Sequence, residues 1–265
     1  MASLDLLLGK LWEQYSEITP QAKKVKSLFE KEGNTVFNDH IAFRTFNDPR
    51  VGIEKLSKFF IANGYKEKDE YHFEVKKLYA KHFEHENENY PKIFISELLL
   101  EKFDEKLVNI CTKLIDQLDE SIINSDEFSS SGRHWNLNLE DFNYLKSKSE
   151  YASWLSAWGY CANHFTVFIN KLNSFKSVAE VNHFLKSHKF KLNSNGGEIK
   201  GGSDVFLAQS STMADAGMVK FLDGEIEVPS CYYEFAARFP LSNGKLYSGF
   251  VAKSADKIFE STNKG

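Results

Sequence analysis

The chain predicts an α+β fold: two units, each a strand, a helix and three further strands, with a helical insert between them and helices at the N-terminus. Three observations carry this. The apolar pattern switches from helical to strand-like at Val36, the element order that follows recurs after His164, and both units open on a similar phrase. The phrases are Asn38-Asp39-His40-Ile41-Ala42-Phe43-Arg44-Thr45-Phe46 and Ala162-Asn163-His164-Phe165-Thr166-Val167-Phe168. Each is an Asx-His pair running into β-branched and aromatic residues, so each histidine is expected near the start of a strand. Two equivalent strands presenting imidazole suggest a metal site built by an internal repeat.

The elements follow in order. Leu4, Leu7, Leu8, Leu11 and Tyr15, then Val25, Leu28 and Phe29, have helical spacing between Leu4 and Lys31. Thr19-Pro20 reads as the N-cap and first turn of a second helix, which Gly33 ends. A strand runs from Val36 through Phe46, followed by a turn at Asn47-Asp48-Pro49 and a helix from about Gly52 to Ala62, closed by Asn63-Gly64. Tyr65 to His85 alternates and reads as two strands, and Lys92 to Leu98 as another. The second unit begins with a strand at Phe165 to Ile169 and a helix at Ser174 to Lys189 with Phe175, Val178, Val181, Phe184 and Leu185 on one face. Strands are expected at Phe190 to Leu192, Val205 to Gln209 and Cys231 to Phe239. Between the units, Phe103 to Ile123 and most of Leu139 to Tyr160 read as helix around a Ser129-Ser130-Ser131-Gly132 loop. This insert is too well patterned for a linker. The expectation is therefore a single compact domain over residues 1–265, with internal units at about 36–100 and 162–240 and the insert at about 101–161.

A composition of 42% hydrophobic and 14% aromatic residues supports a sizeable core. With 33 basic and 37 acidic residues the net charge is −4, which provides no electrostatic footprint for nucleic acid and suggests no membrane surface. Cys111, Cys161 and Cys231 are odd in number, far apart and outside any Cys-x-x-Cys pair, which fits a reducing compartment. Leu6-Leu7-Leu8 is flanked by Asp5, Lys10 and Glu13 and leads into no long apolar run, so it reads as neither signal peptide nor spanning helix. A cytoplasmic protein is expected.

A reactive metal site needs few protein ligands and open positions, and two histidines with one carboxylate is the set associated with non-haem Fe(II) oxygenases. Glu234, in Cys231-Tyr232-Tyr233-Glu234-Phe235-Ala236-Ala237-Arg238, supplies the carboxylate from a strand that reads as buried. An unpaired ionised group there would cost several kcal/mol, which coordination would offset. Aligning the two units puts Glu97 of Ile95-Ser96-Glu97-Leu98 at the equivalent position, as an alternative carboxylate or a partner behind a ligand.

Five phrases in order carry a resemblance: Asn38 to Arg44; Pro91-Lys92-Ile93-Phe94-Ile95-Ser96-Glu97-Leu98; Ser149-Glu150-Tyr151-Ala152-Ser153-Trp154 leading to Asn163-His164-Phe165-Thr166; Gln209-Ser210-Ser211-Thr212-Met213-Ala214-Asp215; and Tyr233-Glu234-Phe235. Together they resemble the 2-oxoadipate dioxygenase/decarboxylase family, which is similar to the vicinal oxygen chelate superfamily, over about Val36 to Pro240. The resemblance implies two βαβββ units forming a curved mixed sheet around a divalent metal held by His40, His164 and Glu234. It implies Fe(II) as cofactor, with Zn, Ni or Mn as other divalent metals a purified sample could carry, and a small-molecule 2-oxo acid and O2 as partners. The reaction it implies is oxidative decarboxylation of a 2-oxo dicarboxylic acid, giving 2-hydroxyglutarate and CO2 from 2-oxoadipate, with a place in lysine catabolism. Arg44 would share the cavity, because side chains at even spacing along a strand share a face, and its fork matches a substrate carboxylate.

Other readings stand beside these. Arg44 could form a buried ion pair with Asp39 or Glu97, and Arg238 has the same ambiguity. Gln209, Ser210 and Ser211 offer donors for a substrate carboxylate, or an ordinary turn. His72, His82 and His85 lie in charged surroundings and read as solvated, with His82 the runner-up ligand; His134 reads as a loop residue, and His183 and His188 as helix surface. A metal-dependent lyase, isomerase or hydrolase, or a non-catalytic small-molecule binding protein, are the competing functions.

Overall fold

The computed structural model describes residues 3–251. The N-terminal pattern forms α1 (Leu4–Ile18) and α2 (Pro20–Lys31). Ser3 caps α1 by accepting from the Leu6 N–H at 3.2 Å, and Pro20 occupies the first turn of α2, where its missing N–H costs nothing. The first unit is β1 (Asn38–Phe46), α3 (Ile53–Leu56), α4 (Lys58–Ala62), β2 (Lys66–Phe73), β3 (Leu78–Glu84) and β4 (Lys92–Leu98). The single helix expected from Gly52 to Ala62 is thus two short ones that meet at the buried Ser57.

The insert forms α5 (Glu105–Ile115), α6 (Glu120–Ile123), α7 (Leu139–Lys148) and α8 (Glu150–Trp158). The second unit is β5 (Ala162–Phe168), α9 (Val178–Ser187), β6 (Lys200–Gly202), β7 (Leu207–Ser211), β8 (Ala216–Phe221), β9 (Gly224–Pro229) and β10 (Tyr232–Arg238). Two expectations change here. No strand forms at 190–192, where Leu192 makes an isolated bridge to Thr212, and the unit's second strand is β6 instead. The β8–β9 hairpin, a separate two-stranded sheet, is an addition between the last two main strands.

Eight strands form one curled mixed sheet in the order β2-β3-β4-β1-β5-β10-β7-β6. The two units are related across its centre, where β1 and β5 pair antiparallel; β1 is parallel to β4 and β5 is parallel to β10. Reading outward from the centre, each unit therefore presents its first, last, third and second main strand. The outer face is covered by helices: Trp12 and Tyr15 pack on Phe165, Phe29 on Phe235, and Phe60 on Phe43. One apolar cluster contains residues of the N-terminal helices, both units and the insert. Every residue of β10 is buried, as is every residue of β1 after Asn38, because the inner face of the sheet is enclosed as well. That inner face carries a row of polar side chains.

Candidate metal centre

Both Asx-His phrases fall on irregularities in the β1–β5 ladder. Asn38 faces Val167 and His40 faces Thr166, so Asp39 is an extra residue on β1; Ala42 faces His164 and Phe43 faces Ala162, so Asn163 is an extra residue on β5. At such bulges the strict alternation of side chains relaxes, and the extra residue can turn toward its neighbour. Asp39 Oδ1 lies 2.8 Å from His40 Nδ1, and Asn163 Oδ1 lies 3.0 Å from His164 Nδ1. Each oxygen accepts the imidazole N–H, which leaves the Nε2 lone pair of both rings available. Replacing Asn163 by alanine is expected to lower divalent-metal affinity by about 10–100-fold while leaving the ligands themselves in place. Competition against a chelating dye measures it.

Asp39 is held in turn by Arg238, which donates through Nε at 2.6 Å and Nη2 at 2.8 Å. Burial alone would raise the Asp39 carboxyl, but this guanidinium and the His40 N–H hold it well below the usual carboxylate range. The carboxylate stays charged beside His40, so the ring's orientation is fixed.

Thr166 pairs with His40 on one side and with Glu234 on the other, and Glu234 pairs with Ser211. Residues directly opposite across a ladder share a face, so this row brings Glu234 to the histidines. Its Oε1 is 3.6 Å from His40 Nε2 and its Oε2 is 3.4 Å from His164 Nε2. One ligand atom from each residue lies within 4.8 Å of the others. Donors about 2.0–2.2 Å from a shared ion sit ~3 Å apart, so modest closure satisfies an ion here. The Thr166 hydroxyl, 3.1 Å from His40 Nε2, hydrogen-bonds the lone pair that such an ion would take.

The electrostatics fit a cation as well. Burial pushes the Glu234 carboxyl up to about 8, against the hydrogen bond donated by Gln209 Nε2 to its Oε1. Burial also pushes the His40 imidazole down, partly offset by Asp39, and pushes His164 down further, helped by its neighbours His40 and Arg44. Neutral imidazoles cannot compensate an ionised Glu234. A divalent cation at the three donors can: it uses the neutral imidazoles that burial already favours and reverses only the preference of Glu234.

Arg44 lies four residues beyond His40 on the same face of β1 and is fully buried. Its guanidinium lies over Tyr151 and Trp154, at 4.8 and 4.9 Å from their ring centres, and Nη1 donates to Glu150 Oε1 at 3.0 Å. Arg44 thus pairs with Glu150, while Asp39 pairs with Arg238 and Glu97 accepts the Ile53 N–H.

A family model described as 2-oxoadipate dioxygenase/decarboxylase matches residues 7–247. A curated relative from Oryza sativa subsp. japonica, the chloroplastic/amyloplastic 2-oxoadipate dioxygenase/decarboxylase, is 35% identical and covers 97% of this chain and 78% of its own length. The chain belongs to the 2-oxoadipate dioxygenase/decarboxylase family. Among solved structures, the hydroxyglutarate synthase of Oryza sativa in complex with 2-oxoadipate superposes with a TM-score of 0.89 at 33% identity, over 97% of this chain and 91% of that one. A Shewanella frigidimarina NCIMB 400 protein named only as a candidate hydrolase has a TM-score of 0.92 at 48% identity, over 95% of this chain and 99% of that one.

In this member of the 2-oxoadipate dioxygenase/decarboxylase family, the remaining sequence candidates divide by face. Gln209 and Ser211 share the inner face with Glu234, and Gln209 holds the carboxylate. Ser210 turns outward, and its hydroxyl donates to Asn182 Oδ1 of α9 at 2.6 Å, so it anchors a helix rather than a substrate. Glu97 also lies on the outer face, opposite Thr45, where it accepts the Ile53 N–H at 3.0 Å. The register explains this: Glu234 pairs with the residue two after His164, and the residue paired two after His40 is Phe94. Glu97 is three residues from that position, and an odd offset reverses the face. His82 is fully buried, not solvated: its Nδ1 is 2.9 Å from the Tyr71 hydroxyl and its Nε2 is 3.3 Å from Glu84. The ring of Phe250 lies between it and His40, at 5.2 and 4.8 Å, which separates it from the three donors.

Two inner-face residues were not singled out from the sequence. Tyr232 stacks on His164 with ring centres 4.8 Å apart, and its buried hydroxyl has no hydrogen-bond partner among the described residues. Lys200 of β6 is buried opposite Gln209 and donates to the Asn193 carbonyl at 2.8 Å. The even spacing of Tyr232 from Glu234 is the signal that finds the first; a short irregular strand hides the second.

Proposed function

We propose that the protein is an iron(II)-dependent dioxygenase that converts a 2-oxo dicarboxylic acid of the 2-oxoadipate type, with O2, to the 2-hydroxy dicarboxylic acid one carbon shorter and CO2. The observation that carries this reading is the pairing, on one buried sheet face, of a two-histidine, one-carboxylate donor set with Arg44. Family membership and the 2-oxoadipate complex of the rice relative support the same substrate class.

His40, His164 and Glu234 hold the metal, which supplies the redox chemistry of oxidative decarboxylation. Arg44 binds the distal carboxylate and so fixes the acid end to end, an orientation that lowers the entropic cost of reaction. Tyr232 donates its hydroxyl to the bound acid, which gives that buried group the partner it lacks among the described residues. Phe250 packs on His40, with Phe94 behind it, and excludes water from one flank. No helix among the described residues is long and apolar enough to cross a membrane. The three buried free cysteines support a reducing compartment such as the cytoplasm, and the core shared by both units and the insert supports reading the chain as one domain.

Metal-free protein reconstituted separately with Fe(II), Zn(II), Ni(II) and Mn(II) tests the reaction class. Oxygen uptake on 2-oxoadipate is expected with Fe(II). Turnover of the acid without oxygen, supported equally by the other metals, would assign a lyase, isomerase or hydrolase instead.

A further inference from the structure

The carboxylate-binding arginine of the proposed function is already engaged by a carboxylate of its own chain. Arg44 Nη1 donates to Glu150 Oε1 at 3.0 Å, and the pair straddles a boundary: the Arg44 side chain is 1% exposed and that of Glu150 is 32% exposed. On its open side Glu150 lines a cleft of about 190 Å3 beside the β2–β3 turn, together with Lys76, Lys77 and Lys148. The two halves of the pair are held differently. The guanidinium lies against the rings of Tyr151 and Trp154 in the interior, whereas Glu150 reaches it from the first turn of α8. Ser149 caps that turn by accepting the Ala152 N–H at 3.2 Å, so the helix end is secured without the Glu150 side chain.

We propose that Glu150 occupies the subsite of the substrate's distal carboxylate and is displaced by it, which makes Glu150 a specificity-determining residue. This rests on the reading of Arg44 as the carboxylate subsite of a 2-oxo dicarboxylic acid. The lysines draw an anionic acid into the cleft and receive the Glu150 carboxylate when it swings out. The positive end of α8 favours that carboxylate in the released position too. One carboxylate replaces another at a guanidinium that does not move, so no buried charge is left unpaired at either stage. A 2-oxo acid with an apolar tail has nothing to offer Arg44 and leaves the pair closed. Selection for a second carboxylate then comes from competition as well as from attraction.

Calorimetric binding to the Zn(II)-loaded protein in the absence of oxygen, with the acid checked for turnover, provides the test. Wild type and Glu150→Gln are each titrated with 2-oxoadipate and with 2-oxohexanoate, which has the same length but no distal carboxylate. The expected result is that Glu150→Gln binds 2-oxoadipate roughly fivefold more tightly, the equivalent of one part-exposed ion pair, with 2-oxohexanoate unchanged. A melting temperature close to that of the wild type shows that the cap and α8 are retained. Equal or weaker binding of 2-oxoadipate by the variant would overturn displacement and make Glu150 a support for Arg44, with the proposed function intact. Failure of the wild type to bind either acid would overturn both.

Discussion

Replacing Glu234 by glutamine is expected to abolish oxygen-dependent turnover and to weaken divalent-metal binding by more than the ~100-fold that losing a group behind a ligand produces. The variant keeps the side chain's shape and a carbonyl oxygen for the Gln209 donor, so the sheet is expected to stay intact. The pH behaviour makes the result specific. In the metal-free protein burial raises Glu234 from 4.5 to about 8. A raised carboxyl keeps its proton in the folded chain while the unfolded chain loses it, so its contribution to stability is full below about pH 4.5 and is lost as pH rises to about 8. The loss is on the order of 4–5 kcal/mol at the upper end. His40 and His164 act in the opposite direction, because their depressed imidazoles contribute above about pH 6.5 and lose that contribution as pH falls. Metal-free Glu234→Gln is therefore expected to escape the alkaline loss and to be more stable than the wild type at pH 8. Metal binding to the wild type at pH 7 is expected to release close to one proton from Glu234, and titration in buffers of different ionisation enthalpy counts it.

Arg44→Gln is expected to raise KM for 2-oxoadipate by about 10–100-fold, the value of a charge-assisted hydrogen bond, with little change for 2-oxohexanoate. Discrimination between the two acids should collapse, which KM and kcat for both substrates measure directly. A stability loss of about 1–2 kcal/mol is also expected, smaller than for a fully buried pair because Glu150 can rehydrate. Retained discrimination would place the carboxylate reader elsewhere on the inner face, with Lys200 the first alternative.

Much of this architecture was legible because local chemistry and global fold agree. The Asx-His phrases marked the two central strands, and the structure gives the reason for the Asx: each is a bulged residue whose oxygen fixes the tautomer of the next imidazole. Parity along β1 carried Arg44 to the same face as His40. Parity across strands depends on ladder register, and there sequence and structure part. The repeat aligns Glu97 with Glu234, but ladder register, which sequence does not display, assigns that place to Phe94. Ser210 was grouped with its neighbours although adjacent strand residues face opposite ways. His82 sits among charged residues in sequence yet is enclosed by Tyr71, Phe94 and Phe250, a consequence of tertiary packing alone. The β8–β9 hairpin alternates as Val219 and Phe221 buried against Met218 and Lys220 exposed, a period-two signal concealed by its shortness and its exposed apolar residues.

Oxygen-isotope labelling tests the central claim most directly. In oxidative decarboxylation of 2-oxoadipate the departing CO2 carries away the two oxygens of the first carboxylate, so both atoms of O2 must remain in the five-carbon product. The iron-loaded protein under labelled O2 is expected to give 2-hydroxyglutarate with two labelled oxygens, one in the new hydroxyl and one in a carboxylate, read by mass spectrometry. Product formed without label, or formed equally well in the absence of oxygen, would contradict the assignment of His40, His164 and Glu234 to an oxygen-using iron centre.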